Sequence, residues 1–511
     1  MKNLNQIISW YFKRRYPEIE AWANHAQQTQ EQIWQSLLQK AKETAWGRYY
    51  NYAAMKTIAD YQKNVPIQTY DTLKPFIQLM MEGNKNVLWQ SPVEWFAKSS
   101  GTTSDKSKFI PVSYEAMESC HFKGAKDIMA AYCFHSPNTQ IYSGKGLVLG
   151  GSHQIHKLNS KAKYGDLSAV LMQNMPRLGR FLRTPDLSVS LMENWEEKLE
   201  KTAEITLQQN VTHLVGVPTW LLVLMRRVLE KSGKENLSEV WPNLGLYLHG
   251  GVSFTPYEEQ FRQLVPSPKL QYWQTYNASE GFFGIQDLPY RNDMLLMLDY
   301  GVFYEFLPMS EIDKSQAKAL TINEVELNTN YALLISTNAG LWRYMIGDTV
   351  KFTSLKPYRI VVSGRTKHFI NAFGEEIIID NADQAIAEAA RQTKAKVKEY
   401  TAAPVYFSNT KNGTHEWLIE FEKYPEQMAT FKDLLDKNLQ KINSDYEAKR
   451  HKNLAMSMPL IQVVSPNTFY EWLKKKGKIG GQHKIPRLEN NRRFVEEIKK
   501  VDADLKMKKK P

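Results

Sequence analysis

Six short stretches of this 511-residue chain carry the residue types that handle phosphate. The first is Ser99-Ser-Gly-Thr-Thr-Ser104, followed by Lys106 and Lys108. Small hydroxyl residues and a glycine let backbone N–H groups approach an anion, and a nearby lysine neutralises its charge. The GK[ST] ending of a Walker A loop is absent. The second stretch, His249-Gly-Gly-Val-Ser253, follows a run that reads as a strand, where paired glycines admit a flat or phosphorylated ligand. The third is Tyr276-Asn-Ala-Ser-Glu280, then Gly281 and Gly284. A carboxylate at a strand's C-terminal end, amid hydroxyls, suits a magnesium ion carrying phosphate oxygens; it also suits a helix cap. The fourth, Gly340-Leu-Trp-Arg343-Tyr-Met-Ile-Gly347-Asp348, ends in a carboxylate that could accept two ribose hydroxyls or simply close a turn. The fifth is Gly364-Arg365, with Asn371 and Gly374-Glu-Glu376, at a break between two patterns. In the last, Gly480-Gly-Gln-His-Lys484-Ile-Pro486-Arg487, a glycine pair and a proline present one lysine on a shaped loop, or leave it solvated in a basic stretch. Taken singly, each stretch is also what an ordinary turn looks like.

The elements that must position these residues follow from the apolar periodicity. The first hundred residues read as helical. Ile33, Trp34, Leu37, Leu38 and Ala41 make one stripe, with Gly47 as its stop. From Phe96 on, short apolar runs alternate with segments long enough for crossover helices. Leu147–Gly150, His213–Val217, Leu244–Leu248 and Gln271–Thr275 are the strands of an α/β domain. Between about 294 and 364 the strands come closer, and Thr349–Thr353 pairs with Arg359–Ser363 across Lys356-Pro357. A second pattern starts near Lys367. It holds a helix over Asp380–Thr393, two strands around Asn412-Gly413, and a helix with Phe431, Leu434, Leu435, Leu439 and Ile442 on one face. A strand at Leu460–Val464 completes this α+β unit.

Composition excludes several classes. Apolar residues are 42% and charged residues 23%, which is ordinary globular usage and rules out wholesale disorder. Two cysteines rule out a disulfide scaffold and a four-cysteine zinc site. The net charge of +12 is partly local, in Lys474, Lys475, Lys476, Lys478 and Lys484 and in the tail Lys506, Lys508, Lys509 and Lys510. The tail reads as a solvated, frayed end, and no nucleic-acid-binding signature accompanies it. The apolar stretch Leu214–Met225 is broken by Pro218 and is far too short to span a membrane. Ile7, Ile8, Trp10 and Tyr11, followed by Lys13, Arg14 and Arg15, lack the form of a secretory signal. They fit an interfacial amphipathic helix, and fit better a helix packed on the domain. His153-x-x-His156 has a metal-ligand spacing without the companions a metal hydrolase needs. A cytoplasmic protein is expected.

The order of the six stretches resembles the acyl-adenylating superfamily of luciferases, acyl-CoA synthetases and nonribosomal adenylation domains. It is more closely similar to the Gretchen Hagen, or auxin-responsive, family of acyl acid–amido synthetases. The similarity lies in Ser99–Pro111, Tyr276–Gly284, Arg343–Asp348 and Gln482–Arg487, and extends over nearly the whole chain. Two positions depart from the wider superfamily: Asn277 stands where glycine is usual, and the Gly-Arg-x-Asp hinge reads Gly364-Arg-Thr-Lys367.

The resemblance implies a large α/β N-terminal domain over 1–366, of mixed sheets with helices and a small β-barrel-like part. A smaller, mobile α+β lid over 367–511 carries the catalytic lysine and ends in a disordered basic tail. It implies that ATP and Mg serve to adenylate a carboxylic acid, whose acyl group then passes to an amine such as an amino acid. Acyl-CoA ligases share the adenylation site and form a thioester, and a non-catalytic ATP-binding module would keep the same fold. By position, Ser99, Ser100, Gly101, Thr102, Thr103 and Lys108 would hold the β- and γ-phosphates, and Gly250, Gly251 and Ser253 would lie against adenine. Tyr276 joins the nucleotide site, Ser279 would sit near the α-phosphate, and Glu280 would bind magnesium. Asp348 would hold the ribose with Arg365 beside it, and Lys484 would meet the α-phosphate and the acyl carboxylate. Val217–Val223 is either a wall for an apolar acid or plain core helix. The acid, the acceptor and the oligomeric state are left open.

Overall fold

The structure is a computed structural model. It describes residues 2–99, 108–150, 155–192, 194–251, 254, 257–312, 314, 316–366, 369–370, 375, 377–405, 413–443, 446–447, 450, 456–477, 485–489 and 491–508, without the side chains of 2–4, 99, 195, 219–220, 365 and 369. The chain divides into two bodies. One comprises Met1–Gly251 and Gln263–Val362; the other comprises Val252–Arg262, Ser363–Ile479 and the chain from His483.

The first body begins with helices. The helix Ala26–Ala41 buries Gln30, Trp34, Leu37, Leu38 and Ala41, the apolar stripe shifted by one turn of amide. Gln30 donates to the carbonyls of Leu298 and Val302 at 2.8 and 2.9 Å, so a polar residue inside this core is satisfied. The helix stops at Ala41, not at Gly47 as expected. Gly47 lies inside the next short helix, Ala45–Tyr49, where a Cβ would stand 2.0 Å from the Ala41 carbonyl oxygen. The glycine permits a close crossing rather than a helix end.

The strands of this body, in chain order, are Trp95–Ser99 (β1), Lys108–Val112 (β2), Lys145–Leu149 (β3), His156–Lys157 (β4), Lys163–Gly165 (β5), Arg183–Thr184 (β6), Val211–Gly216 (β7) and Leu246–Gly250 (β8). Gln271–Ala278 (β9), Gly281–Ile285 (β10), Met294–Leu296 (β11), Val302–Pro308 (β12), Asn330–Thr337 (β13), Tyr344–Leu355 (β14) and Tyr358–Arg365 (β15) follow, the last running past Val362. Among the described residues they form a four-stranded sheet, β2-β1-β5-β4, and an 11-stranded sheet, β12-β13-β14-β15-β11-β10-β9-β8-β7-β3-β6. β6, β3, β7, β8 and β9 run parallel, which requires crossover connections. The helix Pro218–Ser232 supplies one of them, starting on a proline and ending at Gly233 in the left-handed region. From β9 onward the pairings β9–β10, β10–β11, β11–β15, β12–β13 and β13–β14 are antiparallel. The expected hairpin is β14 and β15, longer on both sides than its apolar runs.

The second body is α+β. Phe369–Ile370 (β16) pairs with Ile377–Ile378 (β17). Lys396–Val405 (β18), Thr414–Lys423 (β19) and Leu460–Val463 (β20) form a three-stranded sheet. The helices Ile379–Gln392 and Met428–Ile442 share a core with it, built on Ile386, Trp417, Phe431, Leu435 and Leu439. The helix Arg493–Lys508 carries part of the basic tail, where a frayed end was expected. Lys506 bonds Asp502 at 2.7 Å one turn back, which gives that lysine a helical role.

Candidate active site

The parallel strands β3, β7, β8 and β9 end on one edge of the large sheet. In open α/β sheets, ligands bind outside the carboxyl ends of the strands. Gly250 closes β8, in register with Thr275 on β9. A Cβ on Gly250 would stand 2.6 Å from the Thr275 carbonyl oxygen and 2.7 Å from its Oγ1, so only glycine fits. Gly251 follows at φ +79°, a left-handed turn that leads the chain off the sheet. The neighbouring His249 is buried, and burial pushes its imidazole down to about 3. It is neutral at neutral pH and adds no positive charge beside the glycines.

β9 turns into β10 through Ser279 and Glu280 alone, with Ala278 opposite Gly281. Ser279 is buried and Glu280 is half-buried. A strand follows Glu280, so a helix-capping role for it is excluded. The tight hairpin sets a hydroxyl residue and a carboxylate residue at consecutive positions of one short turn. Asn277 sits just before it, and its Oδ1 accepts from Thr275 Oγ1 at 3.3 Å.

Asp348 does not close a turn. It lies inside β14, buried, and its Oδ2 accepts a 2.8 Å hydrogen bond from the Tyr276 hydroxyl. β9 and β14 are separated in the sheet by β10, β11 and β15. At the usual strand spacing, four steps across a flat sheet are about 19 Å. A tyrosine and an aspartate cannot span that, so this part of the sheet curls back on itself. Irregular registers between Phe282 and Gly284 and between Ala332 and Leu334 supply bends. Inside the curl, the Tyr276 ring lies 5.1 Å from Phe283, and Phe283 lies 6.1 Å from Tyr304. This is the barrel-like part expected from the sequence, made from one continuous sheet.

The residue that the fourth stretch contains but to which sequence reasoning gave no role is Arg343. It is buried at φ +41°, and its guanidinium pairs with the buried Glu305 carboxylate at 2.8 Å. Its Nη1 donates to the carbonyls of Gln62 and Val65 at 2.8 and 2.6 Å. Arg343 thus fixes the start of β14 against β12 and against the end of the helix Ile58–Asn64. The available signal was a lone glutamate in the apolar run Val302–Pro308: a charge there needs a buried partner.

The other site candidates fall elsewhere. Lys108 opens β2, opposite Ser99 in the four-stranded sheet, with its ammonium 5.8 Å from the Tyr70 ring. Ser99 ends β1. Ser100, Gly101, Thr102 and Thr103 lie outside the described residues, as do Ser253 and Lys484; Arg365 ends β15 with its side chain undescribed. Val217–Val223 begins the helix Pro218–Ser232, whose Leu221 and Leu224 are fully buried, as in a core helix. His156 is exposed on β4 and stacks on Tyr164, and His153 lies outside the described residues. The described site therefore gathers Gly250, Gly251, Tyr276, Ser279, Glu280 and Asp348 around one sheet. A backbone cradle and oxygen donors are the chemistry a nucleotide and a hard divalent cation require, so the residues present fit both.

Three stretches of the chain match family models: residues 15–270 the GH3 family N-terminal domain, 295–365 the GH3 family central domain, and 380–493 the GH3 family C-terminal domain. Over 92% of its length the chain is 21% identical to the indole-3-acetic acid-amido synthetase GH3.3 of Arabidopsis thaliana, covering 90% of that protein. It is 22% identical to the jasmonoyl–L-amino acid synthetase JAR4 of Nicotiana attenuata, covering 92% of each. Its fold is that of the GH3.15 acyl acid amido synthetase, with a TM-score of 0.78, 16% identity and 96% of each chain covered. No helix among the described residues is long and apolar enough to cross a membrane. With its N-terminal, central and C-terminal segments all matched in order, the chain belongs to the GH3, or Gretchen Hagen, family.

Proposed function

We propose that this protein is an acyl acid–amido synthetase: it adenylates a carboxylic acid with ATP and passes the acyl group to an amine, in the first instance an amino acid. The observation that carries the reading is the convergence of Gly250-Gly251, Ser279-Glu280 and Asp348 on one sheet in a chain whose relatives are named for that reaction. A carboxylate cannot expel oxide. In the first half-reaction its oxygen attacks the α-phosphorus of ATP and pyrophosphate leaves. In the second, the amine nitrogen attacks the acyl carbon, AMP leaves, and the amine loses a proton. Amide formation thus consumes one ATP and yields AMP and pyrophosphate.

In this reading Ser99–Thr103 and Lys108 hold the β- and γ-phosphates, and Gly250, Gly251 and Ser253 form the flat adenine wall. Ser279 lies by the α-phosphate. Asp348 accepts the ribose hydroxyls, oriented by the Tyr276 hydroxyl bond, with Arg365 nearby. Glu280 is the magnesium ligand, and a bound magnesium ion supplies charge neutralisation on the transferring phosphates. Residues 1–366 bind ATP and acid, and 367–511 form the lid that brings Lys484 to the α-phosphate and the acid. A cytoplasmic setting fits two free, buried cysteines.

Acid-dependent pyrophosphate release with Mg-ATP, across a panel of carboxylic acids with hydroxylamine as trapping amine, tests the first step. Release confined to one acid class and lost in Lys484→Ala is expected. Amino acids are then compared with coenzyme A as acceptors. A faster thioester than amide would overturn the amide reading, and failure to bind ATP would overturn adenylation itself.

A further inference from the structure

The helix Lys2–Lys13 has one face covered by the domain and an apolar stripe on the other. Asn5, Ile8 and Ser9 are buried. Asn5 donates to the Thr139 carbonyl and accepts from the Tyr142 backbone N–H, both at 2.9 Å, and Phe12 stacks on Tyr142 at 5.4 Å. The spacing 5, 8, 9, 12 is one helical face. The spacing 7, 10, 11, 14 is another, and there Ile7, Trp10 and Tyr11 are exposed by 62, 58 and 64%. The Arg14 guanidinium lies 4.8 Å over the Trp10 ring. A surface helix normally turns polar side chains to water, so this outer stripe is that of a helix with something still to cover it.

Charge says what. From Met1 to Tyr16 the chain carries Lys2, Lys13, Arg14 and Arg15 and no acidic residue. Arg15 is engaged by Asp127, Asp299 and the exposed Glu18 of the next helix. Arg14 stays at the surface beside the exposed aromatics. A second element has the same character. The short helix Arg177–Leu182 has no buried residue, exposes Leu178 and Phe181, and carries Arg177 and Arg180. The Lys145 ammonium lies 4.2 Å over the Phe181 ring and bonds its carbonyl. The segment from Tyr142 to Lys145 connects the two elements, its first residue bonded to Asn5 and its last to Phe181. Tryptophan and tyrosine among cations are the side chains that settle at a bilayer's headgroup level. A two-fold contact with a second copy would instead bring together two faces of the same positive sign.

We propose that the outer face of the N-terminal helix, with Ile7, Trp10, Tyr11 and Arg14, docks the protein on an anionic lipid surface. Each cation near such a surface contributes about 1 kcal/mol, so Arg14 gives about fivefold tighter binding to anionic than to zwitterionic vesicles. The test is sedimentation of the whole protein with vesicles of phosphatidylcholine plus phosphatidylglycerol, against phosphatidylcholine alone, at low and high salt. The triple variant Ile7→Ser, Trp10→Ser, Tyr11→Ser and the single variant Arg14→Glu accompany it. Binding that needs the anionic lipid, weakens with salt and is lost in the triple variant at unchanged melting temperature supports the proposal. Equal binding to both vesicles, or binding that survives the triple variant, overturns it. So does a dimer in gel filtration that the triple variant converts to monomer without any vesicle dependence, since the face would then belong to a second copy.

Discussion

The two halves of the large sheet hold buried polarity in opposite ways. In the parallel half, the half-buried His213 on β7 and the buried His249 on β8 are neutral, desolvation pushing them down to about 4 and about 3. In the antiparallel half, from Gly281 to Arg365, there is no histidine. The buried arginines there are paired, Arg343 with Glu305, and Arg359 with Asp287 and Asp293 at 2.8 and 3.3 Å. Beside Gly250 the parallel half presents a backbone turn among small and neutral residues, while farther out β6 buries Arg183 against the Ser190 hydroxyl at 3.0 Å. The antiparallel half must hold a strong curl, and its charged pairs fix one strand against the next. The lesson is that Gly250 and Asp348 can serve one site while depending on different forces.

Acid separates the halves most strongly. The folded values of the two histidines lie below their ordinary 6.5, so the unfolded chain takes up their protons first. The stability they carry is complete above that value and is lost as pH falls towards their folded values, at roughly 3 kcal/mol each by about pH 4. Melting temperature followed from neutral pH downwards should start to fall below about pH 6.5. A flat profile to about pH 5 would falsify the neutral-histidine account of the parallel half.

Next comes the charged pair. Glu305→Ala leaves Arg343 buried without its carboxylate and should cost about 3–5 kcal/mol in denaturant unfolding. Replacing both residues by methionine should recover part of that loss, because the buried charge goes with its partner while the Gln62 and Val65 carbonyls lose their donor. If the double variant is no better than the single, the pair is not what holds β14 to β12.

Two smaller effects test how the curl serves the site. Asp348→Asn keeps an acceptor for Tyr276 but removes the charge, and should lower kcat/KM for ATP about 10- to 100-fold, the worth of about 1.5–3 kcal/mol in charged hydrogen bonds. Tyr276→Phe removes only the bond that orients Asp348. About fivefold in KM for ATP, with kcat held, is expected from roughly 1 kcal/mol. An equal loss in both variants would mean that Tyr276 touches the nucleotide itself and not merely the aspartate.

Much of this was legible in the sequence because it rests on local rules. Apolar runs of strand length located β3, β7, β8 and β9 to within a few residues. The glycine pair after β8 read as room for a flat or phosphorylated ligand, and the structure adds a reason the sequence did not supply, the Thr275 carbonyl of the next strand beside Gly250. The helix stop at Gly47 misled because a glycine also marks a crossing, and only the Ala41 carbonyl beside it tells the two apart. A turn was one of two roles the sequence left open for Asp348, and the structure removes it, because Gly347 is a left-handed residue within the long strand β14.

The sequence by itself determined which residues could touch phosphate and in what order they come, because hydroxyl, glycine and carboxylate chemistry is local to each short stretch. Only the tertiary structure decided that Tyr276 meets Asp348 and that Arg343 meets Glu305. These partners are 72 and 38 residues apart in the chain. No periodicity records such a pairing. It follows from how far the sheet curls, and that curl is set by strand order, irregular register and the packing of aromatic rings inside it.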